Sequence, residues 1–283
     1  MILIADSGST KTDWVLWIPK TNEVFKYKTK GLNPYFTKSS EITEEMREHF
    51  ASDDLIQLKE IFFYGSGCGS IDSKSIVFEG LTNACKNAKI HIEHDLMASA
   101  RSLLGNEKGI ACILGTGSNA CLYDGKVIIG EAVSFGYIMG DEGSGNHIGR
   151  MLLKAIFNGK APKELVMDFN DKYPHLDLSR LLDQLYNLPN PNRFLASFSP
   201  FVLSNQDKKF VRALIESSFN QFLDEFVVDL SMDKSLPVSF QGSIAWSYKA
   251  ILKKVLGDRG FKMGNIIKQP IDTLLEFHKN NKI

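Results

Sequence analysis

The sequence predicts an α/β protein built from two similar lobes, and three observations lead to that prediction. A strand–turn–strand pattern occurs twice, once in residues 1–17 and again in residues 110–123. Each copy has short apolar runs bounded by Gly, Ser and Thr, which is typical of buried strands joined by a tight turn. The order of predicted strands and helices then restarts in the second half, and the 283 residues are enough for two domains.

The first lobe contains three further strands and three helices after its hairpin. Its predicted elements are, in chain order, a strand at 23–29, an amphipathic helix at 41–51, a buried strand at 60–64, a helix at 73–87, a strand at 89–94 and a helix at 96–104. The buried strand ends in Gly65-Ser-Gly-Cys-Gly69. We expect this lobe to span residues 1–105.

The second lobe repeats the hairpin and adds a long helical stretch. Its predicted elements are strands at 110–114, 120–123 and 126–133, a helix at 146–158 ended by Gly159, mostly helix over 162–230 with a long segment at 207–230, a strand at 236–241 and a helix at 244–256. Asp124-Gly125 predicts a type I′ turn between two of these strands. We expect this lobe to span 106–269, with a C-terminal helix at 270–283 that is a candidate to pack back on the first lobe.

The bulk composition excludes several functional classes. Lys+Arg and Asp+Glu both number 33, so the zero formal charge argues against a nucleic-acid surface or a polybasic membrane face. No apolar run approaches the ~20 residues that span a bilayer, and the start lacks the basic region of a signal peptide. We therefore expect a cytoplasmic protein. The four cysteines have no C-x-x-C spacing, which favours small apolar core residues.

Both hairpin turns are candidate phosphate sites. A Gly/Ser/Thr turn between strands offers backbone N–H groups and hydroxyls that point one way, which is a nest for an anion. The candidates are Gly8, Ser9, Thr10 and Lys11 in the first turn, and Gly115, Thr116 and Gly117 in the second. Lys11 could also neutralise phosphate charge. A plain hairpin turn is the alternative for the second segment.

Three aspartates are candidates for chemistry. Asp6 ends a buried strand before the first turn, so its carboxylate suits Mg²⁺, which prefers oxygen ligands; a turn-capping Asp is the alternative. Asp13 is either a supporting group behind that site or a solvated strand residue. Asp95 follows a buried strand and begins a helix, and from the residues alone a catalytic role and a helix N-cap are equally supported.

The motifs, taken in order, resemble a known family. They are Asp6-Ser-Gly-Ser-Thr-Lys-Thr-Asp13, Gly31-Leu-Asn33-Pro, His94-Asp95, Leu114-Gly-Thr-Gly-Ser-Asn119, Phe135-Gly-Tyr137 and Gly140-Asp-Glu-Gly-Ser-Gly145. Over nearly the whole chain they resemble the BadF/BadG/BcrA/BcrD-type ATPase family, most closely its N-acetylglucosamine kinase branch. The resemblance implies two ribonuclease-H-like lobes with a cleft between them, the fold shared by actin, hexokinase and chaperone ATPases.

The resemblance also implies roles for particular residues. It makes Asp95 the catalytic base, Gly242 with Ser243 the adenosine loop, and ATP and Mg²⁺ the cofactors. The sugar-binding residues that it implies are Asn33, Ser118, Asn119 and Asp141. Asn33 could equally belong to a turn, and Asp141 to a helix-entry loop. The family usually has two glycines where this chain has Gln241-Gly242, and Trp where it has Phe135, which would then pack on the sugar.

The implied function is ATP-dependent phosphorylation of an amino sugar, with N-acetylglucosamine converted to its 6-phosphate as the leading hypothesis. N-acetylmuramic acid, glucosamine and glucose stay open as substrates. One alternative is an iron–sulfur activator ATPase, against which Cys112 and Cys121 stand on opposite arms of the hairpin. Another is a non-catalytic sugar sensor. We expect amino sugar and ATP as partners, neither nucleic acid nor membrane, and the resemblance allows a homodimer.

Overall fold

The computed structural model describes residues 1–8, 10–231 and 233–281. The chain forms two compact units. The first unit contains Met1–Gly105 and the C-terminal segment that begins at Gln269, and the second contains Asn106–Lys268.

The first unit is a five-stranded sheet with helices on both faces. Its elements are β1 (Ile2–Ser7), β2 (Lys11–Ile18), β3 (Glu23–Lys30), α1 (Ser39–His49), α2 (Ser52–Gln57), β4 (Glu60–Gly65), α3 (Ile71–Ala84), β5 (Lys89–His94) and α4 (Asp95–Leu104), and the C-terminal helix α14 (Ile271–Asn280) belongs to the same unit. The strand order is β3-β2-β1-β4-β5. The β1–β2 and β2–β3 pairs are antiparallel, whereas β4 and β5 run parallel to β1.

The two faces of this sheet bury different sets of side chains. Because successive strand residues alternate between faces, Ala5 and Phe63 point into one core with α1 and α3. Trp14 lies edge-on to Phe50 in that core, with ring centroids 5.5 Å apart. Asp6 and Tyr64 point to the opposite face, against which α4 and α14 pack. That face therefore carries the polar side chains considered below.

The second unit has the same sheet topology. Its elements are β6 (Gly109–Leu114), β7 (Ser118–Tyr123), β8 (Ile128–Glu131), α5 (Gly136–Met139), α6 (Gly145–Phe157), α7 (Lys163–Lys172), α8 (Leu178–Tyr186), α9 (Pro191–Ala196), α10 (Ser199–Ser204), α11 (Lys209–Phe222), β9 (Pro237–Gln241), α12 (Ser243–Ser247), α13 (Lys249–Asp258) and β10 (Lys262–Ile267). The order β8-β7-β6-β9-β10 repeats that of the first unit, with β6 in the place of β1. The predicted duplication and fold class are confirmed.

Several local predictions of secondary structure were wrong. β10 was missed, and the helix at 244–256 is broken at Tyr248 into α12 and α13. β8 is shorter than 126–133, and in the turn before it only Gly125 has positive φ. A type I′ turn needs positive φ at both central residues, so the predicted turn type is wrong. The helix at 207–230 ends in a π-helical turn at Leu223–Val227.

Among the described residues, no helix is both long enough and apolar enough to cross a membrane.

Candidate active site

In the first unit, the candidate site lies at the carboxyl ends of its parallel strands. Asp6 is next to last in β1 and is in register with Asp13 on β2 and Tyr64 on β4. Asp95 begins α4 directly after β5. Side chains that follow parallel strands meet at one edge of a sheet, which is where open α/β sheets bind ligands.

Asp6 lies in a strongly acidic environment. Burial, followed by the nearby Asp95 and Asp13 carboxylates, raises the pKa of Asp6 to about 7, and Lys11 partly opposes this shift. Asp6 and Asp95 are half-buried carboxylates close enough to repel each other, so negative charge here is not balanced by the protein's own cations. This is the arrangement that a bound cation would relieve.

Asp13 is buried, so the interpretation as a solvated strand residue is wrong. Its carboxylate accepts a hydrogen bond from Lys11 Nζ at 2.5 Å, and Lys28 Nζ lies 3.9 Å away. Lys11 is therefore paired with Asp13 on the edge of the first turn. Half of the Lys11 side chain stays exposed, so its charge is also available to a ligand.

Hydrogen bonds stabilise the first turn in a tight conformation. The Gly8 N–H donates to the Lys11 carbonyl at 2.9 Å, and the hydroxyls of Ser7 and Thr12 lie 2.8 Å apart. Thr10 is exposed at the tip of the turn. The predicted contact at Ser9 lies outside the described residues. Whether the turn binds phosphate stays a prediction.

Asp95 is the first residue of α4, and His94 occupies the N-cap position, so the N-cap interpretation of Asp95 is wrong. Its carboxylate accepts hydrogen bonds from the Leu96 N–H and from the Ser66 hydroxyl. Burial nevertheless raises the pKa of Asp95 above its usual range, because desolvation outweighs the His94 charge and these hydrogen bonds. A carboxylate with a raised pKa is a better proton acceptor than an ordinary surface aspartate.

Asn33 lies in a turn against the loop that holds Asp95. Its Oδ1 accepts the Tyr35 N–H at 3.0 Å, and the side chain is buried. A Cβ placed at Gly67 would come within 2.3 Å of that oxygen, so the glycine permits this close approach. Because Ser66 in the same loop bonds Asp95, the first unit brings Asn33 and Asp95 to one region. The turn interpretation of Asn33 and its predicted sugar contact are compatible.

In the second unit, the Gly115–Ser118 turn is anchored to the start of α6. The Gly145 N–H donates to the Gly115 carbonyl at 2.8 Å, and the Asn146 side-chain amide donates to the Thr116 carbonyl at 2.7 Å. No atom lies within 4 Å of a Cβ built on Gly115, so the space above this residue is open. Thr116 is exposed beside it.

Asp141 supports this turn from behind. Its Oδ1 accepts the Ser118 N–H at 3.0 Å and its Oδ2 accepts the Asn146 amide at 2.7 Å. The residue is buried and has φ +61, the left-handed region that Asp tolerates better than most residues. A Cβ at Gly117 would lie 2.8 Å from Asp141 Oδ1, so the glycine is required by Asp141. Each carboxylate oxygen can accept a second hydrogen bond, and a sugar contact stays a prediction.

Ser118 and Asn119 begin β7. The Ser118 hydroxyl is buried and has no hydrogen-bond partner among the described residues. Such a group is costly unless a water or ligand satisfies it. Asn119 Oδ1 accepts the Ala120 N–H at 2.9 Å, which leaves its amide group to other partners.

A cavity of about 260 Å³ opens beside the second turn. It is lined by Gly115, Thr116, Gly145, Ala196, Ser199, Pro200, Leu203, Ser243, Ile244, Ser247 and Tyr248. Gly242 does not line it. Its φ of +119 and the 2.2 Å from a built Cβ to the Leu114 carbonyl show why a glycine is required there. Gly242 therefore brings Ser243 to the cavity wall.

α9 and α10 form one wall of this cavity, and the sequence does not predict it. Tyr248 OH donates to the Ser199 carbonyl at 2.9 Å, which joins α10 to the start of α13. Ala196 and Leu203 have the apolar character of ordinary helix residues, and no local motif marks them as pocket residues.

Phe135 is 64% exposed in the segment before α6. Arg150 holds that segment by donating to the Tyr137 carbonyl at 2.7 Å. Phe135 makes no ring contact with another described residue, and its packing on the sugar stays a prediction.

The four cysteines are all buried, as the composition predicts. Burial raises the pKa of Cys68 to about 12 and that of Cys85 to about 11, and it raises the pKa of Cys112 as well. These thiols are therefore protonated near neutral pH.

Comparison with solved structures identifies relatives of the whole chain. The crystal structure of a provisionally named N-acetylglucosamine kinase from Porphyromonas gingivalis matches with a TM-score of 0.92, 35% identity and 100% coverage of both chains. A similarly named protein from Chromobacterium violaceum matches with a TM-score of 0.75, 18% identity and 98% coverage of each. A provisionally named sugar kinase from Cytophaga hutchinsonii matches with a TM-score of 0.55, 16% identity and 100% coverage of each.

The last two comparisons, at low identity, show the fold alone. No protein-family model matches the chain, and no curated protein does.

Proposed function

This chain belongs to the N-acetylglucosamine kinase-like branch of the BadF/BadG/BcrA/BcrD-type ATPase family, and on that premise we propose that it phosphorylates the 6-hydroxyl of N-acetylglucosamine with ATP. As a member of that branch it is a sugar kinase. The observation that carries the finer proposal is the pair of mutually repelling carboxylates, Asp6 and Asp95, at the carboxyl ends of β1 and β5.

Asp95 is the proposed general base. It accepts the proton of the sugar hydroxyl as that oxygen forms a bond to the γ-phosphorus, and the bond between this phosphorus and the β–γ bridging oxygen breaks to release ADP. Burial raises the pKa of Asp95, which brings it closer to the working pH of such a base. The hydrogen bonds from Leu96 and Ser66 orient its carboxylate.

Asp6 is the proposed ligand of Mg²⁺. The donor chemistry fits, because Mg²⁺ prefers carboxylate and water oxygens, and the raised pKa of Asp6 marks an unbalanced negative charge. When bound, Mg²⁺ supplies neutralisation of phosphate charge. Lys11, paired with Asp13 at 2.5 Å, supplies a further cation at the first turn.

The cavity beside the second turn is the proposed adenosine site. Its mixed wall of Ser199, Ser243 and Tyr248 with Leu203 and Ile244 suits a heterocycle with polar edges. The open space at Gly115 suits the phosphates that would follow. We propose that Gly8, Thr10 and Thr116 also contribute to phosphate binding. Gly117 is proposed to contribute indirectly, because it leaves room for Asp141.

The sugar is proposed to contact Asn33, Ser118, Asn119 and Asp141. The buried Ser118 hydroxyl without a partner among the described residues supports this assignment, since a sugar hydroxyl could satisfy it. Asp141 has a second task in holding the Ser118 backbone. Gly242 is proposed to act on adenosine only through the placement of Ser243.

A coupled ADP assay over a panel of sugars tests the proposal. We expect Mg²⁺-dependent ADP release with N-acetylglucosamine, and nuclear magnetic resonance of the product should show phosphate on the 6-oxygen. N-acetylmuramic acid, glucosamine and glucose complete the panel, and a reaction without sugar is the control. ADP release at the same rate without sugar would overturn the kinase proposal, and a phosphate on another oxygen would overturn the assigned position.

A further inference from the structure

A buried hydrogen-bond chain joins three elements of the first unit. Arg101 Nη1, on α4, donates to the Tyr64 hydroxyl at 2.7 Å, and that hydroxyl lies 2.9 Å from His278 Nε2 on α14. The Arg101 guanidinium also lies over the rings of Tyr64 and Phe277, 5.6 and 5.5 Å from their centroids. The C-terminal helix is thus tied to the helix that begins with Asp95.

The hydrogen-bond chain has one direction, from Arg101 through Tyr64 to His278. A guanidinium has only donors, so the Tyr64 oxygen accepts from Arg101, and we take its hydroxyl to donate to His278 Nε2. That nitrogen must then be unprotonated. Burial, followed by the Arg101 and His91 charges, lowers the pKa of His278 to about 3, so its ring is neutral at pH 7. The His278 ring is further fixed by Phe62, with centroids 4.1 Å apart.

The position of Tyr64 connects this chain to both carboxylates. Tyr64 is in register with Asp6 on one neighbouring strand and with Glu93 on the other. Two residues later, Ser66 bonds the Asp95 carboxylate. Arg101 is six residues beyond Asp95 on the same helix, about 9 Å along its axis at 1.5 Å per residue. The hydrogen-bond chain therefore lies beside Asp6 through Tyr64 and reaches α4 about 9 Å from Asp95 through Arg101.

We propose that Tyr64, Arg101 and His278 are positioning residues that hold the first turn of α4, and with it the Asp95 carboxylate, in a fixed place relative to Asp6. The inference rests on the proposed function, because it takes Asp95 as the base. It gives the C-terminal helix a part in turnover.

Removing the Tyr64 hydroxyl has a defined consequence. Arg101 Nη1 and His278 Nε2 would each lose the hydrogen bond that links their helices through Tyr64, and the two helices would shift. Misplacement of a catalytic group by about 1 Å can cost on the order of 10²-fold in rate. The contacts of substrates with the second unit would be untouched.

The kinetic test compares Tyr64→Phe with Tyr123→Phe. Both remove one hydroxyl from a fully buried tyrosine, but Tyr123 ends β7 at the opposite end from the Gly115–Ser118 turn. We expect Tyr64→Phe to lower kcat by about 10- to 100-fold while the KM values for ATP and sugar change less than ~2-fold. Tyr123→Phe should keep kcat within ~2-fold of the wild type.

A pair of His278 variants separates positioning from stability. His278→Gln keeps an acceptor for the Tyr64 hydroxyl and should retain at least half of the wild-type kcat, whereas His278→Leu should lose kcat as Tyr64→Phe does. Thermal unfolding of each variant is measured in parallel. Equal kcat in His278→Gln and His278→Leu, or kcat of Tyr64→Phe equal to that of Tyr123→Phe, would overturn the proposal.

Amide hydrogen exchange without substrates tests the coupling independently of activity. Tyr64→Phe should speed exchange in the hydrogen-bonded turns of α4 and in α14, while Tyr123→Phe should leave both unchanged. Unchanged exchange in α4 would contradict the inference even in an active enzyme. Absence of sugar-dependent ADP release in the wild type would instead contradict the proposed function, with the exchange result still deciding whether the two helices are coupled.

Discussion

Replacing Asp6 with Asn is expected to change how stability depends on pH. Burial and the Asp95 charge raise the pKa of Asp6 from 3.8 to about 7 in the folded protein. The unfolded chain therefore loses the Asp6 proton at lower pH than the folded protein does. Between these two pKa values the folded state binds more protons, so the free energy of unfolding falls as pH rises.

The magnitude follows from the pKa difference. The two values differ by about three pKa units, and each unit corresponds to ~1.36 kcal/mol, so ionisation of Asp6 should cost about 4 kcal/mol by pH 8. Asn cannot ionise and avoids this cost. Above pH 7 and without divalent metal, Asp6→Asn should therefore melt on the order of 10 °C higher than the wild type. Near pH 4 the two melting temperatures should converge.

Thermal unfolding at pH 4 to 9 in a chelating buffer measures this difference, with Asp53→Asn as the matched change at an exposed position of α2. Added Mg²⁺ should stabilise the wild type at pH 8, by about 2.7 kcal/mol at one hundred times its Kd, and should not stabilise Asp6→Asn to that extent. Parallel melting curves for the wild type and Asp6→Asn over the whole pH range would refute the reasoning.

Three further predictions concern the ligands. Gly115→Ala places a methyl group in the open space beside the second turn and should raise the KM for ATP about 10-fold. Gly117→Ala forces a 2.8 Å contact with Asp141, so it should raise the KM for ATP and also lower the melting temperature. Leu203→Trp fills part of the 260 Å³ cavity and should raise the KM for ATP without changing the KM for sugar. N-acetylgalactosamine should be used at least ~10²-fold less efficiently than N-acetylglucosamine, and glucose only ~10- to 10²-fold less, because unpaired buried polar groups penalise a wrong hydroxyl more than a lost methyl contact does. Initial rates over substrate concentration and melting curves check all three, and equal use of both epimers would contradict the polar pocket.

The hairpins and the duplicated topology could be predicted because local pattern determines them. Buried strands such as β1 and β6 are continuous apolar runs, and each ends in turn residues. β10 could not be predicted in this way. It is an edge strand with a bulge, and Gly264 is present because a Cβ there would lie 2.2 Å from Ser239 Oγ, a constraint set by the neighbouring strand.

The residues of the candidate site also differ in whether local sequence could predict them. Asp6 and Asp95 could be found because Asp6 lies at the end of the buried strand β1 and Asp95 begins a helix directly after β5, although β5 is only partly buried and not the buried strand that the sequence predicts. The support of the second turn by Asp141 could not, because it depends on a positive φ and on two hydrogen bonds across 23 and five residues of sequence. The cavity wall from Ala196 to Leu203 likewise forms only when α9 and α10 pack.

The central claim is that Asp95 accepts a proton from a sugar while ATP is converted to ADP. Its most direct test is the rate of sugar-dependent ADP formation by the wild type and by Asp95→Asn, at saturating ATP and N-acetylglucosamine. Asn keeps the size of the side chain and an oxygen for the hydrogen bonds from Leu96 and Ser66. We predict a kcat lowered by ~10²–10⁴-fold with the KM for ATP nearly unchanged. A kcat for Asp95→Asn close to that of the wild type would contradict the account.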